Sequence, residues 1–179
     1  MALSVVAHGE ESVITSGTGT SRDRSTPMEG ASVQVDRRTG LEVMEQSECL
    51  ALLGQHVLGR LAVIEGGAPL ILPVNYSMVG HRVVVRTAEG AKFDAVHRSV
   101  CFEVDDYDRA GRTGWSVVVR GQLYEALDSE IAKWDAEGLL PQPWAEGPKD
   151  HVIGIEPSVI TGRRIHPRRL FADSESSPA

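Results

Sequence analysis

From Leu41 onward, short apolar runs alternate with polar punctuation, and their spacing predicts a small β-rich domain. Leu50 and Leu53 lie three apart, so Glu48 to Leu53 reads as a short helix, with Ser47 as N-cap and Gly54 as its stop. His56 to Glu65 is the first predicted strand, and Gly66-Gly67 turns it into a second over Pro69 to Ser77. Pro73 inside that strand marks an edge, a bulge or a place where backbone faces a ligand. Val79-Gly80 leads into a third strand, Arg82 to Thr87. Glu89 to His97 reads as a short helix or turn, Val100 to Val104 as a strand, and Asp105 to Gly114 as an acidic loop.

Trp115 to Leu127 is a long strand. Asp128 is placed to cap a helix over Ser129 to Glu137, stopped by Gly138. Leu139 to Pro148 holds three prolines and reads as a loop. His151 to Ile155 and Val159 to Arg164 are the last strand segments, separated at Pro157. About six closely spaced strands with short helices favour a β-barrel or sandwich over a doubly wound sheet.

Residues 1–38 differ. Ser12 to Ser25 is rich in Ser, Thr and Gly, and no aromatic residue precedes Tyr76 apart from histidine. Such a segment buries too little apolar area to offset its ordering entropy, so it reads as a flexible tail. Its other reading is an arm ordered against a partner through Val5-Val6 and Val13-Ile14. The domain then covers 39–171, and 172–179 is a polar tail.

Composition narrows the function classes. The 179 residues carry a net charge of -7, which opposes non-specific binding to nucleic acid or anionic lipid. No apolar run approaches the roughly 20 residues that cross a bilayer. No basic-then-apolar leader opens the chain, so a cytoplasmic protein is expected. Cys49 and Cys101 form no Cys-x-x-Cys pair and read as buried free thiols. The histidines show no metal-ligand spacing, and no metal site is expected. His97, closing the turn after Lys92, is the histidine nearest the candidate site.

The candidate chemistry lies around Glu89-Gly90-Ala91-Lys92. Gly90 permits close approach of a ligand, and Lys92 supplies a point charge. Arg86 adds a planar donor fork at the end of the preceding strand. Asn75, Tyr76, Thr87 and Ser116 offer polar atoms of little charge, which suit the rim of a flat heterocycle. Cations beside such groups at strand ends are what a phosphorylated planar cofactor requires. Tyr76 and Trp115 also read as core aromatics with one satisfied polar atom.

These segments resemble those of the pyridoxamine 5'-phosphate oxidase-like, FMN-binding split-barrel proteins. The resemblance spans roughly Leu41 to Ile165 and rests on Val57-Leu58-Gly59-Arg60-Leu61-Ala62-Val63, Pro73-Val74-Asn75-Tyr76 and Val85-Arg86-Thr87-Ala88-Glu89-Gly90-Ala91-Lys92. It continues in Val100-Cys101-Phe102-Glu103-Val104-Asp105, Gly114-Trp115-Ser116-Val117-Val118-Val119-Arg120-Gly121 and Ile160-Thr161-Gly162-Arg163-Arg164. It implies a six-stranded antiparallel split barrel and a homodimer with FMN at the subunit interface. The backbone of Pro73, Val74, Asn75 and Tyr76 would line the isoalloxazine. Arg86, Thr87 and Lys92, with Gly90 and Ala91 in their loop, would hold the phosphate end, and Trp115 and Ser116 would lie near the ring.

Ala91 stands where many relatives have Ser or Thr, so one hydroxyl bond to phosphate is missing. Arg163 and Arg164 do not sit in the signature that binds pyridoxamine phosphate, so oxidation of vitamin B6 is not expected. The resemblance implies a flavin oxidoreductase, a reductase of small nitroaromatic or quinone-like acceptors. Its alternatives are a flavin or deazaflavin carrier or sensor without turnover and, last, a haem-handling relative.

Overall fold

The computed structural model describes residues 34–166. The expectations for residues 1–33 and 172–179 lie outside these residues. Residues 34–38 are described, and Val35 bridges to Glu42 just ahead of the domain.

In chain order the elements are β1 (Glu42–Met44), α1 (Gln46–Gln55), β2 (Leu58–Glu65), β3 (Ala68–Val79), β4 (Arg82–Thr87) and α2 (Ala91–Asp94). Then come β5 (Ser99–Asp108), β6 (Thr113–Glu125), α3 (Asp128–Ala136) and β7 (His151–Ile165). The sheet is antiparallel, in the order β1-β7-β4-β3-β2-β5-β6, and β6 pairs again with β7. Six strands therefore close into a ring, which leaves no open edge among them. β1 is a seventh strand laid against the end of β7, with Glu42 opposite Arg164.

Strand alternation fills the ring. Leu61, Val85, Phe102, Val117, Leu123 and Ile153 all point inward and are fully buried. Phe102 meets the Tyr76 ring edge-on at 4.8 Å and packs where a Cβ on Gly59 would stand. α1 adds Cys49 and Leu53 to this core. α3 packs outside the ring, where Trp134 joins Val84, Ala126 and Val152.

Several expectations need correction. α1 begins at Gln46 with Glu45 as its N-cap, so Ser47 lies inside the helix and caps nothing. Leu127, not Asp128, precedes α3, and its amide donates to Glu130 Oε2 at 3.1 Å. Asp105 to Asp108 is strand, because Thr113 to Ser116 of β6 pair with it, while Arg60 of β2 bonds Glu103 and Asp105 and offsets their charge. β7 runs unbroken through Pro157. Arg120 faces Val159 while Gly121 faces Pro157, so Ser158 is the extra residue of a bulge in β7, and Pro157 sits at that bulge, where a missing amide is tolerated. Cys101 is exposed, since the same alternation that buries Phe102 turns its neighbour outward.

Candidate functional site

β4 carries the site's first two residues on opposite faces. Thr87 follows the inward series Val83, Val85 and is buried, its hydroxyl donating to Ala88 O at 2.9 Å. Arg86 therefore points outward. Its Nη2 donates to Lys149 O at 3.4 Å, while its Nε is buried with no partner. A buried guanidinium donor without an acceptor is costly unless an anion completes it.

After β4 the chain turns at Gly90, whose φ of 118° is closed to most side chains, and starts the single turn of α2. This brings Lys92 back toward the strand end, partly buried. Burial, and then the nearby positive charge of Lys149, holds its ammonium below the ordinary lysine range. Among the described residues, none of Arg86, Lys92 and Lys149 forms a salt bridge. Lys149 neighbours both of the others, through its carbonyl on Arg86 and its charge on Lys92, and an anion is the natural complement of such a group. Ala91 lies beside them and offers no hydroxyl. His97 is not part of the group: its amide donates to Leu123 O at 2.7 Å, and its backbone has a positive φ of 66°.

β3 supplies the neighbouring wall. Asn75 precedes the Tyr76–Val85 pair on β3, and Arg86 follows it on β4. The Asn75 carboxamide is committed within the chain: Nδ2 donates to Val57 O at 3.3 Å, and Oδ1 accepts from the Trp144 amide at 2.8 Å. Pro73 and Val74 lie opposite Arg60 and Gly59 of β2. The Tyr76 side chain is buried, and its hydroxyl donates to Leu53 O at 2.7 Å. Burial pushes its phenol well above the ordinary range. Its side chain thus belongs to the core, and any contact with a ligand falls to its backbone.

The 139–149 loop crosses the outer face of β3 and β4. Ser77 Oγ donates to Leu139 O at 2.5 Å, so the loop is tied at Ser77, Asn75 and Arg86. Beneath it lies a cavity of about 410 Å³, lined by His56, Asn75, Ser77, Leu140 and Trp144. Trp144 is 67% exposed beside it.

Trp115 and Ser116 lie near the start of β6, opposite Asp106 and Asp105. Both are half-buried. Trp115 takes the His56 ring edge-on at 5.0 Å. His56 also lines the cavity, so it links Trp115 to the Asn75 wall. The predicted residues thus fall into the cations Arg86 and Lys92, which share Lys149 as a neighbour, and the aromatic Trp115, which His56 links to Asn75. Sequence reasoning missed Lys149 and His56. A lysine in a proline-rich loop and a histidine before a strand carry no local signal of their partners.

The family model described as pyridoxamine 5'-phosphate oxidase matches residues 45–164. The chain belongs to this family. An uncharacterised protein of Mycobacterium tuberculosis is 38% identical over 130 residues, covering 68% of this chain and 84% of that one. The FAD binding protein from Mycobacterium smegmatis is 33% identical, with a TM-score of 0.57 over 69% of this chain and 98% of its own. A conserved protein of unknown function from Corynebacterium diphtheriae is 30% identical, with a TM-score of 0.59 over 71% and 98%. The matched span of the family contains every residue of the anion group, Arg86, Lys92 and Lys149. Among the described residues no helix is long and apolar enough to cross a membrane.

Proposed function

We propose that this family member binds a flavin nucleotide, with its phosphate end on Arg86 and Lys92 and its ring along the β3 backbone from Pro73 to Tyr76. The observation that carries this reading is the buried, unpartnered Nε of Arg86, together with a partly buried Lys92 that forms no salt bridge among the described residues. A phosphate supplies the missing acceptor and countercharge together. Bound flavin would supply two-electron transfer, and the chain's residues would hold and shield it. Gly90 leaves open space for the phosphate's approach, with Ala91 next to it in the loop, and Thr87 contributes backbone rather than hydroxyl. Trp115 and Ser116 would border the ring from β6. No acid, base or nucleophile is needed beyond orientation, which fits a reductase of small planar acceptors. The exposed apolar side chains of Val57, Leu58 and Trp144 beside the site support a homodimer that shields the ring.

FMN is the first ligand to test. FAD is the second, because a relative 33% identical is an FAD binding protein. Visible absorption of the purified chain, titrated with each nucleotide in turn, separates them by affinity. Lys92→Met should raise the dissociation constant about tenfold or more, as the loss of one charge-assisted contact does. An unchanged constant removes Lys92 from the site, and no uptake of either nucleotide ends the flavin reading. Light scattering of the saturated sample should give twice the protomer mass, and a monomer mass would exclude the shared site.

A further inference from the structure

The 139–149 loop is the part of the site that the nucleotide reading leaves unused. It is fastened to the outer face of the barrel at three points, and the last is a residue of the cation group. Lys149 O accepts from Arg86 Nη2, while Lys149 Nζ lies 3.0 Å from Glu146 O, 3.4 Å from Gly147 O and 3.5 Å from Pro148 O. Its ammonium is thus turned back on its own loop and holds carbonyls, not carboxylates. Glu89, Asp94, Glu146 and Asp150 are the acids nearest in sequence to the three cations. All four are exposed, and among the described residues none pairs with them. The positive charge of Lys149 also reaches Lys92 and disfavours its charged form. Two like charges drawn together with no counterion make a geometry that an anion would relax.

We propose that Lys149 is a third ligand for the phosphate end of the nucleotide, and that through it occupancy of the phosphate site sets the position of the 139–149 loop over the cavity beside Asn75. The proposal rests on the nucleotide reading for the identity of the anion, but its geometry concerns this chain alone. Lys149 exchanges weak carbonyl contacts for a charge-assisted bond to phosphate oxygen, which is the stronger interaction. Arg86 turns toward the same anion and relinquishes its long bond to Lys149 O. The third fastening of the loop is thereby replaced by a bond through the ligand. Trp144 lies five residues before Lys149 in the same loop and hangs from Asn75, so it registers the change.

The test uses the full chain and inorganic phosphate, read by tryptophan fluorescence and by calorimetry. Phosphate should bind saturably and shift the fluorescence, and Trp144→Phe should remove the shift while Trp115 and Trp134 remain. Lys149→Met should weaken phosphate about tenfold and abolish the shift even at saturation. Lys149→Arg should restore binding. Lys92→Met should weaken phosphate yet keep the shift once the site is filled. The proposal is overturned by wild-type phosphate affinity in Lys149→Met, by a shift that survives that substitution, or by no phosphate uptake in the unaltered chain. FMN added separately keeps the two ideas apart: phosphate binding that depends on Lys149, without flavin uptake, upholds this inference and ends the flavin reading. Flavin uptake indifferent to Lys149→Met does the reverse.

Discussion

The inside of the ring and the outer face of β3–β4 are built from the same two strands by opposite rules. Inside, Val83, Val85, Thr87 and Tyr76 are buried, and both hydroxyls have acceptors, Thr87 in Ala88 O and Tyr76 in Leu53 O. Outside, Arg86 keeps a buried nitrogen without a partner, and Lys92 sits near Lys149 with no acid to offset either. A fold that satisfies its polar groups on one side of a strand and leaves cations unmatched on the other is complete as a barrel and incomplete as a site. Stability belongs to the first face and binding to the second, and substitutions should separate the two.

The largest effect should come from Phe102→Ala. Phe102 is fully buried, fills the space over Gly59 and carries the ring of Tyr76. Its removal should lower the unfolding free energy by about 3–5 kcal/mol, the usual cost of emptying a core of a phenyl ring. Chemical denaturation measures this. If the variant still folds, its phosphate affinity should be unchanged, since no atom of Phe102 reaches the outer face. A loss of affinity in folded protein would break the separation.

The two faces were not equally legible in the sequence. The barrel was: runs such as Val83-Val84-Val85 and the alternation of Val100, Phe102 and Val104 declare strands, and Arg82–Thr87 has the bounds expected of it. What escaped were features decided by a partner strand. β1 is three residues long and exists because the end of β7 offers it a ladder. Asp105 to Asp108 is acidic, yet extended, because Thr113 to Ser116 of β6 pair with it, and Arg60 offsets the charge of Asp105. Pro157 stays within β7 because it stands beside a bulge in its own strand, where Ser158 has no partner on β6. Of the candidate site, the contiguous stretch Arg86 through Lys92 could be singled out from the sequence. The site was opaque where it depends on distant residues. Asn75 has the polar atoms of a ligand residue but spends them on Val57 and Trp144, and Lys149 joins the cations from a loop more than 50 positions beyond Lys92.

Tyr76 sharpens the comparison, because it lies within the predicted ring-binding segment and is held in the core by its side chain. Tyr76→Phe keeps the packing against Phe102 and removes only the hydroxyl, leaving the Leu53 carbonyl near the end of α1 without its partner. The expected cost is about 1–3 kcal/mol of stability, seen as a lower denaturation midpoint. Nucleotide affinity should not change. A weaker ligand with full stability would show that the hydroxyl serves the site.

The smallest effect should appear at Lys92, and with the opposite sign. Lys92→Met keeps the apolar stem and removes a charge that burial and Lys149 both disfavour. The free protein should become slightly more stable, within the range of about 0.5 kcal/mol typical of partly exposed positions, although its ligand affinity falls. The pH dependence fixes the cause. The folded pKa of Lys92 lies below that of the unfolded chain, so between the two values the unfolded state binds more protons and stability rises with pH. Below that window the penalty is fully present, and above it the penalty is gone. The advantage of Lys92→Met should therefore be constant near neutrality and shrink as pH climbs toward the ordinary lysine range. It should also diminish with added salt, which screens the repulsion from Lys149. A destabilised Lys92→Met would mean that this lysine has a stabilising partner in the free protein and that the outer face is less incomplete than its geometry indicates.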